Sequence, residues 1–409
     1  MDEFHTESAY PMISFERAWE IVAAHVRPLP PVEAGLREMV GCVLAEDVRS
    51  QVDVPSFPAS RMDGYAVVAA DTSWEREVLG EEDAGEALDV VVRPGTALRI
   101  MTGAPLPHGA DAVIPVEDTS EEGGIVRLKR MVRPGENVRP IGSDLAKGEV
   151  AVPAGTVMGP AEIGLVATLG LATARIYPKP RVMVLATGDE LVQPGQPLGP
   201  GQIYDSNSFA LCAAVELAGG MALRGERVID TEEALRASLL QAIEQADLVI
   251  TSGGVSMGTR DLVKPVLESL GRIYFGRVAI KPGKPLTFAQ VRGVPVFGLP
   301  GFPVSSLVTF EMVVRPAMRL LAGHRALWRP EVQARLSHPL RHDDDRTEFQ
   351  RAVIIRRDGT YWASTTGAQA SSRLKSLLGA NALLRIPQGV GDVPEGATVT
   401  AILIDQPEQ

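Results

Sequence analysis

The pattern of apolar and polar positions is clearest between residues 180 and 323. Short apolar runs such as VMVLA (182–186) and DLVIT (247–251) alternate there with helical segments, among them SNSFALCAAVELAGG (206–220). Because strands that alternate with helices form mostly parallel sheets covered on both faces, this part predicts a doubly wound α/β domain. A long helix is expected over 303–321. Ligands of such sheets bind outside the carboxyl ends of the strands.

The flanking segments have other periodicities. Ser14 precedes apolar residues at helical spacing, which predicts a capped amphipathic helix. Residues 50–150 are rich in Pro and Gly with short β-type runs, and 159–170 are helical again, so we expect a β-rich module inserted into a small α+β domain. The tail is β-type, with Asp358-Gly359 as a hairpin turn. The predicted domains are 1–49 with 142–178 (discontinuous N-terminal α+β), 50–141 (inserted β-rich), 179–326 (central α/β) and 327–409 (C-terminal β).

Composition and charge exclude several classes of protein. The 409 residues carry a formal net charge of −11, which disfavours non-specific binding to nucleic acids and acidic membranes. The two cysteines lie far apart in the sequence and indicate a reducing compartment. The N-terminal residues have no apolar signal core, and no stretch of about 18 apolar residues is present. We therefore expect a soluble cytoplasmic protein.

A glycine-rich loop, TSGGVSMGTRD (251–261), follows one buried apolar run. It lacks the lysine of the GxxxxGK[ST] phosphate loop, and its adjacent Gly253 and Gly254 break the GxGxxG fingerprint. Small residues at a helix start can bind an anion through backbone N–H groups, and an ordinary strand-to-helix turn explains the loop equally well.

Three of the seven lysines lie just after this loop, at 264, 281 and 284. Lys281-Pro282-Gly283-Lys284 has the composition of a type II turn, which would hold the two end residues within about 7 Å. Repulsion between two close ammonium groups becomes attraction when a dianion binds between them. We therefore favour an anion site, with two solvated lysines as the alternative.

Acidic residues also follow predicted strands. Thr187-Gly188-Asp189-Glu190 ends one apolar run, and Asp261 ends the glycine loop. Carboxylates beside a phosphate site suggest Mg²⁺, for which Glu190 and Asp261 are the candidates, although helix caps or surface charges are the common alternatives. Asp230 is predicted to cap a helix together with Glu233. His338 and His342 have i, i+4 spacing, but the intervening Pro339 favours a solvated loop over a zinc site.

Seven sequence motifs occur in one order along nearly the whole chain: SRMDGYAV, RIMTGAPLP, LATGDELVQPGQPLGPGQIYDSN, TSGGVSMGTRD, AIKPGKPLTF, GLPGFPVS, and the pair FQRAV with STTGAQASS. In these motifs the chain resembles the molybdopterin molybdenumtransferase family, the MoeA and gephyrin E-domain type. The resemblance implies four domains, a homodimer, and insertion of molybdate into adenylylated molybdopterin with Mg²⁺-dependent release of AMP. It also implies contact with the molybdopterin adenylyltransferase and with recipient molybdoenzymes.

The resemblance further implies roles for individual residues. The glycine loop would bind the pterin phosphate region and its metal through Ser252, Gly253, Gly254, Ser256, Gly258 and Asp261. The molybdate side would consist of Lys281, Lys284, Pro285, Ser305, Arg351 and Ser371. Further functional positions of the family match Asp63, Thr102, Asp144, Glu190 and Asp230, with Asp63 and Thr102 supplied across the dimer.

Two departures from the family pattern stand out. Phe302 replaces an asparagine that many members carry, and Arg277 replaces a lysine found in some. Three other functions stay open at this point: adenylyl transfer to molybdopterin, which needs only the central domain, insertion of tungstate, and a non-catalytic dimeric scaffold of the gephyrin E-domain type.

Overall fold

The computed structural model describes residues 10–82, 90–254, 262–343 and 345–407. The chain divides into two compact units. The first takes in the described residues of Met1–Val32, Gly41–Ala45 and Ile176–Gln409, and the second those of Glu33–Val40 and Glu46–Arg175. The four domain boundaries expected from the sequence are a finer division and stay predictions.

The N-terminal helix α1 (Phe15–His25) belongs to the first unit. The Ser14 hydroxyl accepts a hydrogen bond from the Arg17 backbone N–H at 3.1 Å, so the expected cap is confirmed. One face of α1 is buried, and its Phe15 ring meets the Phe349 ring edge to face at 5.4 Å between centroids. The amphipathic pattern of α1 is thus used to cover the core of the first unit.

The chain between α1 and residue 180 is mainly β-structure. It forms β1 (Val32–Gly35), β2 (Val43–Leu44), β3 (Val48–Arg49), β4 (Ala59–Ser60), β5 (Gly64–Val67), β6 (Glu75–Glu82), β7 (Thr96–Ile100), β8 (Ala112–Pro115), β9 (Thr119–Glu122), β10 (Ile125–Leu128), β11 (Val138–Arg139), β12 (Val150–Val152), helix α2 (Pro160–Thr168) and β13 (Thr173–Tyr177), with a 3-10 turn at Val116–Asp118.

Six of these strands form the main sheet of the second unit, in the order β8-β5-β7-β6-β10-β9. Side chains of β5 alternate between its two faces: Tyr65 and Val67 join one apolar cluster, and Ala66 joins another. This alternation follows from the two-residue period of a strand. The expected β-rich module is confirmed.

The central part of the first unit alternates strands and helices. Its elements are β14 (Arg181–Ala186), β15 (Leu191–Val192), β16 (Ile203–Tyr204), α3 (Asn207–Leu217), β17 (Met221–Arg224), α4 (Glu232–Gln245), β18 (Leu248–Ser252), α5 (Val263–Leu270), β19 (Arg272–Phe275), β20 (Ile280–Lys281), β21 (Thr287–Val291), β22 (Val294–Leu299), α6 (Pro303–Thr309), a π-helical turn (Phe310–Val314) and α7 (Arg315–Leu321).

The central sheet has the order β17-β14-β18-β22-β21-β19. The first four strands pair in parallel, and β21 is antiparallel to both of its neighbours, β22 and β19. Successive residues of β14 point to opposite faces: Val182 and Val184 pack in the core shared with α3, α6 and α7, whereas Met183 and Leu185 pack with α4 and α5. Both faces of the sheet are therefore covered, and the mostly parallel doubly wound architecture is confirmed.

The C-terminal part is a β-structure whose sheet also includes β20 of the central part. It contains β23 (Glu331–Leu336), β24 (Thr347–Arg357), β25 (Thr360–Thr365), a 3-10 turn (Leu374–Leu377), β26 (Ala382–Ile386) and β27 (Thr398–Leu403). The sheet order is β20-β24-β25-β23-β27-β26, and β24 also pairs with β26, so five strands close into a barrel-like sheet. Asp358 and Gly359 both have positive φ, which confirms the predicted hairpin turn.

Within the described ranges, no helix is both long and apolar enough to cross a membrane.

Phe297 tests how far the first unit depends on its aromatic core. Its side chain is fully buried and stacks on Phe288, with ring centroids 4.9 Å apart. We expect Phe297→Ala to destabilise the first unit by about 3–5 kcal/mol, because the cavity cannot close fully. The measurement is the thermal transition of this unit by calorimetry. Leu217→Ala, at a side chain 87% exposed, is the control and should leave that transition nearly unchanged. An unaltered transition for Phe297→Ala would contradict this account of the core.

Candidate functional site

The candidate site of the first unit starts at the carboxyl ends of three neighbouring parallel strands, β14, β18 and β22. The segments that leave these ends are residues 187–190, 253–254 and 300–302. They meet closely: a Cβ atom added at Gly301 would lie 3.7 Å from Gly253 Cα, and Gly253 donates its N–H to the Leu299 carbonyl at 3.2 Å. The glycines permit this approach because they carry no side chain.

The first residues of the glycine loop are tightly constrained. Gly253 and Gly254 have φ of 96° and 65°, and a Cβ atom at Gly253 would lie 2.7 Å from the Thr187 carbonyl oxygen. Ser252, the last residue of β18, is buried. Backbone conformation and crowding together explain the two glycines. The later loop residues Ser256, Gly258 and Asp261 lie outside the described residues.

Asn207, which our sequence reasoning did not identify, joins two of these segments. Its side-chain amide donates to Ser252 Oγ at 2.9 Å and to the Gly301 carbonyl at 2.8 Å. Ser252 Oγ in turn lies 3.4 Å from Ser306 Oγ in α6, and the Ser306 hydroxyl donates to the Pro300 carbonyl. The polar run Asp205-Ser206-Asn207 signals a helix start in the sequence, but nothing local indicates these distant partners.

The acidic residues after β14 lie beside the start of α4. The Asp189 carboxylate accepts a hydrogen bond from the Asp230 backbone N–H at 3.2 Å, and the Glu190 side chain is exposed. The prediction that Asp230 caps α4 is wrong. The cap is Thr231, whose hydroxyl accepts from the Ala234 N–H at 3.3 Å, because the helix begins one residue later than expected.

Lys281 and Lys284 have different environments. Lys281 Nζ lies 2.9 Å from Asp343 Oδ2 and 3.4 Å from Glu348 Oε1. No described residue makes a hydrogen bond or ion pair with the Lys284 ammonium group. The turn between them also differs from the type II turn we expected, because the Lys281–Pro282 bond is cis and Gly283 has φ of 125°. Lys281 is therefore paired with two carboxylates, whereas the sequence led us to expect mainly repulsion between Lys281 and Lys284.

Charge and burial both act on Lys281. Partial burial alone would lower its pKa, but the hydrogen bond to Asp343 and the charge of Glu348 outweigh burial, and the pKa of Lys281 is raised. Glu348 is buried, and its Oε2 receives no hydrogen bond from the described residues. Because an unpaired buried charge is costly, Lys281 is the group that compensates Glu348.

A cavity of about 430 Å³ opens beside Lys281. Arg341 also lines it, and the exposed Arg341 guanidinium group makes no hydrogen bond or ion pair with a described residue. The cavity is therefore lined by two cations: Lys281, which is paired with carboxylates, and Arg341, which has no ion pair with a described residue. Its complete lining is Lys281, His338, Pro339, Leu340, Arg341, Glu348, Gln350, Thr365, Gly367, Gln369 and Ala370.

Arg351 lies on β24 and is almost completely buried. Its guanidinium group donates to Ser376 Oγ at 3.1 Å and to the Ala370 carbonyl at 3.4 Å. Burial lowers the pKa of Arg351, whereas the charge of Glu348 raises it; the net shift is downward. These bonds fix the segment that leads to Ser371, whose carbonyl accepts from the Val304 N–H at 3.1 Å.

The remaining predicted residues of this unit lie on the same elements. Ser305 is buried in the first turn of α6, and Pro285 follows Lys284 before β21. Phe302, the residue in place of the family's asparagine, precedes α6 and is 59% exposed. Its ring thus gives α6 no side-chain cap.

Asp63, Thr102 and Asp144 belong to the second unit. Asp63 Oδ1 accepts from both the backbone N–H and the hydroxyl of Thr102, each at 2.7 Å. The Thr102 hydroxyl contributes most to lowering the pKa of Asp63. Asp144 pairs with Arg139 at 3.5 Å, and both of these side chains are largely exposed. The structure therefore brings Asp63 and Thr102 together as a hydrogen-bonded pair.

Comparison with known proteins identifies the family. Residues 13–170 match the MoeA N-terminal region (domain I and II), 183–320 the probable molybdopterin binding domain, and 333–404 the MoeA C-terminal region (domain IV). A molybdopterin molybdenumtransferase 2 from Mycobacterium tuberculosis is 39% identical over 94% of this chain and 98% of its own length. The chain belongs to the molybdopterin molybdenumtransferase family.

Two further relatives match most of the chain. A molybdopterin molybdenumtransferase from Haemophilus influenzae is 39% identical over 89% of this chain and 92% of its own length. One solved structure of a molybdopterin biosynthesis MoeA protein from Pyrococcus horikoshii is 33% identical to this chain, with a TM-score of 0.82. The match covers 97% of this chain and 100% of the solved chain. The resemblance seen in the sequence motifs is confirmed.

The metal that the molybdopterin molybdenumtransferase family implies can be tested against Glu190. This carboxylate makes no hydrogen bond or ion pair with a described residue, and one of its oxygens would lie 2.7 Å from a Cβ atom at Gly188. It therefore folds back over the glycine at the strand end. A hard carboxylate oxygen of this kind suits Mg²⁺, which usually takes one or two carboxylates together with water and substrate phosphate. Among the described residues, no group of three or more His, Cys, Asp or Glu side chains could hold a metal alone.

The Asp63–Thr102 pair makes a prediction that needs no substrate. In the wild type, we expect Asp63 to titrate below its ordinary value of 3.8, since both Thr102 bonds favour the charged carboxylate. Thr102→Ala removes the hydroxyl donor and should raise the titration midpoint, whereas Thr102→Ser should keep it low. Carboxyl ¹³C chemical shifts against pH measure the midpoint. Equal midpoints for wild type and Thr102→Ala would show that the hydroxyl bond is not formed.

Proposed function

We propose that this chain performs the last step of molybdenum cofactor synthesis and inserts molybdate into adenylylated molybdopterin with release of AMP. One observation carries the proposal: contacts run without a break from the glycine loop to Arg351. Gly253 meets Gly301, the start of α6 bonds to Ser371, and the segment before Ser371 bonds to Arg351. The residues that we propose for the pterin phosphate region and for molybdate thus belong to one unit, which supports a reaction that binds two anions.

In this proposal the protein binds and orients its substrates and forms no covalent intermediate. The loop Ser252, Gly253 and Gly254, continued by Ser256 and Gly258, would hold the pterin phosphate region through backbone N–H groups. Lys281, Lys284 and Arg351 would attract the molybdate dianion, with Pro285, Ser305 and Ser371 beside it. Holding both reactants in place lowers the entropic part of the barrier.

Glu190 and Asp261 would hold Mg²⁺, which when bound supplies positive charge to the phosphoanhydride oxygens and stabilises the leaving AMP. Asp189 fixes the geometry of this edge through its bond to the Asp230 N–H. Asp230 does not cap α4, and in this proposal it would contact the substrate.

We further propose a homodimer in which Asp63 and Thr102 of one subunit complete the site of the other, with Asp144 as a further functional position. The Asp63–Thr102 bond pair supports this role, because it keeps an exposed carboxylate charged and oriented. Such an enzyme would act in the cytoplasm, receive its substrate from the molybdopterin adenylyltransferase, and pass the cofactor to molybdoenzymes.

The test is AMP release from adenylylated molybdopterin, with and without molybdate and Mg²⁺. Lys284→Ala should weaken the apparent affinity for molybdate roughly 10- to 100-fold, because a charged hydrogen bond contributes about 1.5–3 kcal/mol. Lys129→Ala is the matched control, since Lys129 Nζ bonds only the Glu117 carbonyl among the described residues.

Three results would contradict the proposal in different ways. Normal molybdate dependence in Lys284→Ala would remove Lys284 from the site. Net adenylylation of molybdopterin by ATP would favour the adenylyltransferase, and absence of any molybdate-dependent AMP release would favour the scaffold. Tungstate in place of molybdate tests which oxyanion is preferred.

A further inference from the structure

Of the two cations that line the cavity, Lys281 and Arg341, Lys281 has the more acidic surroundings. Its ammonium group contacts Asp343 at 2.9 Å and Glu348 at 3.4 Å, and the second oxygen of Glu348 has no hydrogen bond from the described residues. One positive charge therefore faces two negative ones. In this arrangement the surroundings of Lys281 repel an oxyanion instead of attracting it.

The two carboxylates differ in how readily they can leave. Glu348 is part of β24, directly opposite Lys281 in the β20–β24 pairing, and its side chain is 4% exposed. Asp343 lies outside any strand, and its side chain is 77% exposed. Exposed ion pairs are weak and are screened by salt, whereas separating a buried pair leaves an uncompensated charge. Asp343 is thus the carboxylate that an incoming anion can displace.

We propose that Asp343 is an internal competitor for Lys281, so that it sets the oxyanion concentration at which Lys281 becomes available. The inference rests on the proposed function and adds a residue to it. A dianion gains more than a monoanion from replacing one carboxylate charge, so Asp343 also favours doubly charged oxyanions over singly charged ones. Arg341, uncompensated in the same cavity, keeps a cation available while Lys281 is held.

Displacement of Asp343 leaves Lys281 paired with Glu348 alone, so that one positive charge faces one negative charge instead of two. The oxyanion then takes the place of the Asp343 carboxylate at Nζ, and the released side chain returns to water, where exposed carboxylates are well solvated. No proton, electron or bond needs to be transferred in this exchange.

The direct test is oxyanion binding by isothermal titration calorimetry with the full-length protein, using molybdate, tungstate and sulfate without pterin. Asp343→Asn should tighten molybdate binding roughly two- to fivefold, the range expected for removing an exposed ion pair. The gain should shrink at high salt. Asp345→Asn is the matched control, because Asp345 is a nearby exposed carboxylate that pairs with Arg346 and not with Lys281.

A second variant shows whether Asp343 acts through Lys281. In a Lys281→Gln background, Asp343→Asn should give no gain in affinity, because the ammonium group for which Asp343 and the oxyanion compete is no longer present. Unchanged or weaker molybdate binding by Asp343→Asn in the wild-type background would overturn the proposal. An equal gain with Asp345→Asn would also overturn it, since the effect would then be one of overall charge.

Failure of this inference can be told apart from failure of the proposed function. If Asp343→Asn does not tighten binding while wild-type AMP release depends on molybdate, the inference alone is wrong. If no oxyanion binds any of these variants and AMP release does not respond to molybdate, both are wrong.

Discussion

The pairing of β20 with β24 is the constraint on which the candidate site depends. Only two residue pairs are involved, Ile280 with Thr347 and Lys281 with Glu348. The first pair contributes to the apolar core, because Ile280 is fully buried. The second sets Lys281 against Glu348, and among the described residues the only other basic group within 4.0 Å of this glutamate is His342, a cation when protonated. Through this short pairing, β20 of the central part joins the C-terminal sheet.

Several features become understandable from that pairing. Side chains alternate along β24, so Glu348 and Gln350 face the cavity while Phe349 packs in the core with α1. Arg351, on the same face as Phe349, uses its bonds to shape the segment before Ser371. One strand therefore supplies the cavity wall, the core and the support of a loop.

The protein as a whole is acidic, yet the cations of the candidate site differ in state. Lys281 is compensated, Arg351 is buried among hydrogen-bond acceptors, and Arg341 and Lys284 make no ion pair with a described residue. In a chain with a net charge of −11, binding of an oxyanion has to rely on such local differences. The second unit contributes its own oriented carboxylate, Asp63, held by Thr102.

The sequence by itself determined those parts that rest on local periodicity and turn chemistry. The cap of α1 by Ser14, the Asp358-Gly359 hairpin and the alternation of strands and helices needed only neighbouring residues, and the motifs were enough for the family. The predicted cap of α4 was wrong by one residue, because Asp and Thr are both favourable cap residues and the local pattern cannot choose between Asp230 and Thr231. Only the tertiary structure decided that Lys281 meets Asp343 and Glu348, 62 and 67 residues further along, and that Asn207 bonds Ser252 and Gly301. The physical reason is that electrostatic partners and amide bridges are set by how strands pair across the sheet, which spacing along the chain does not encode.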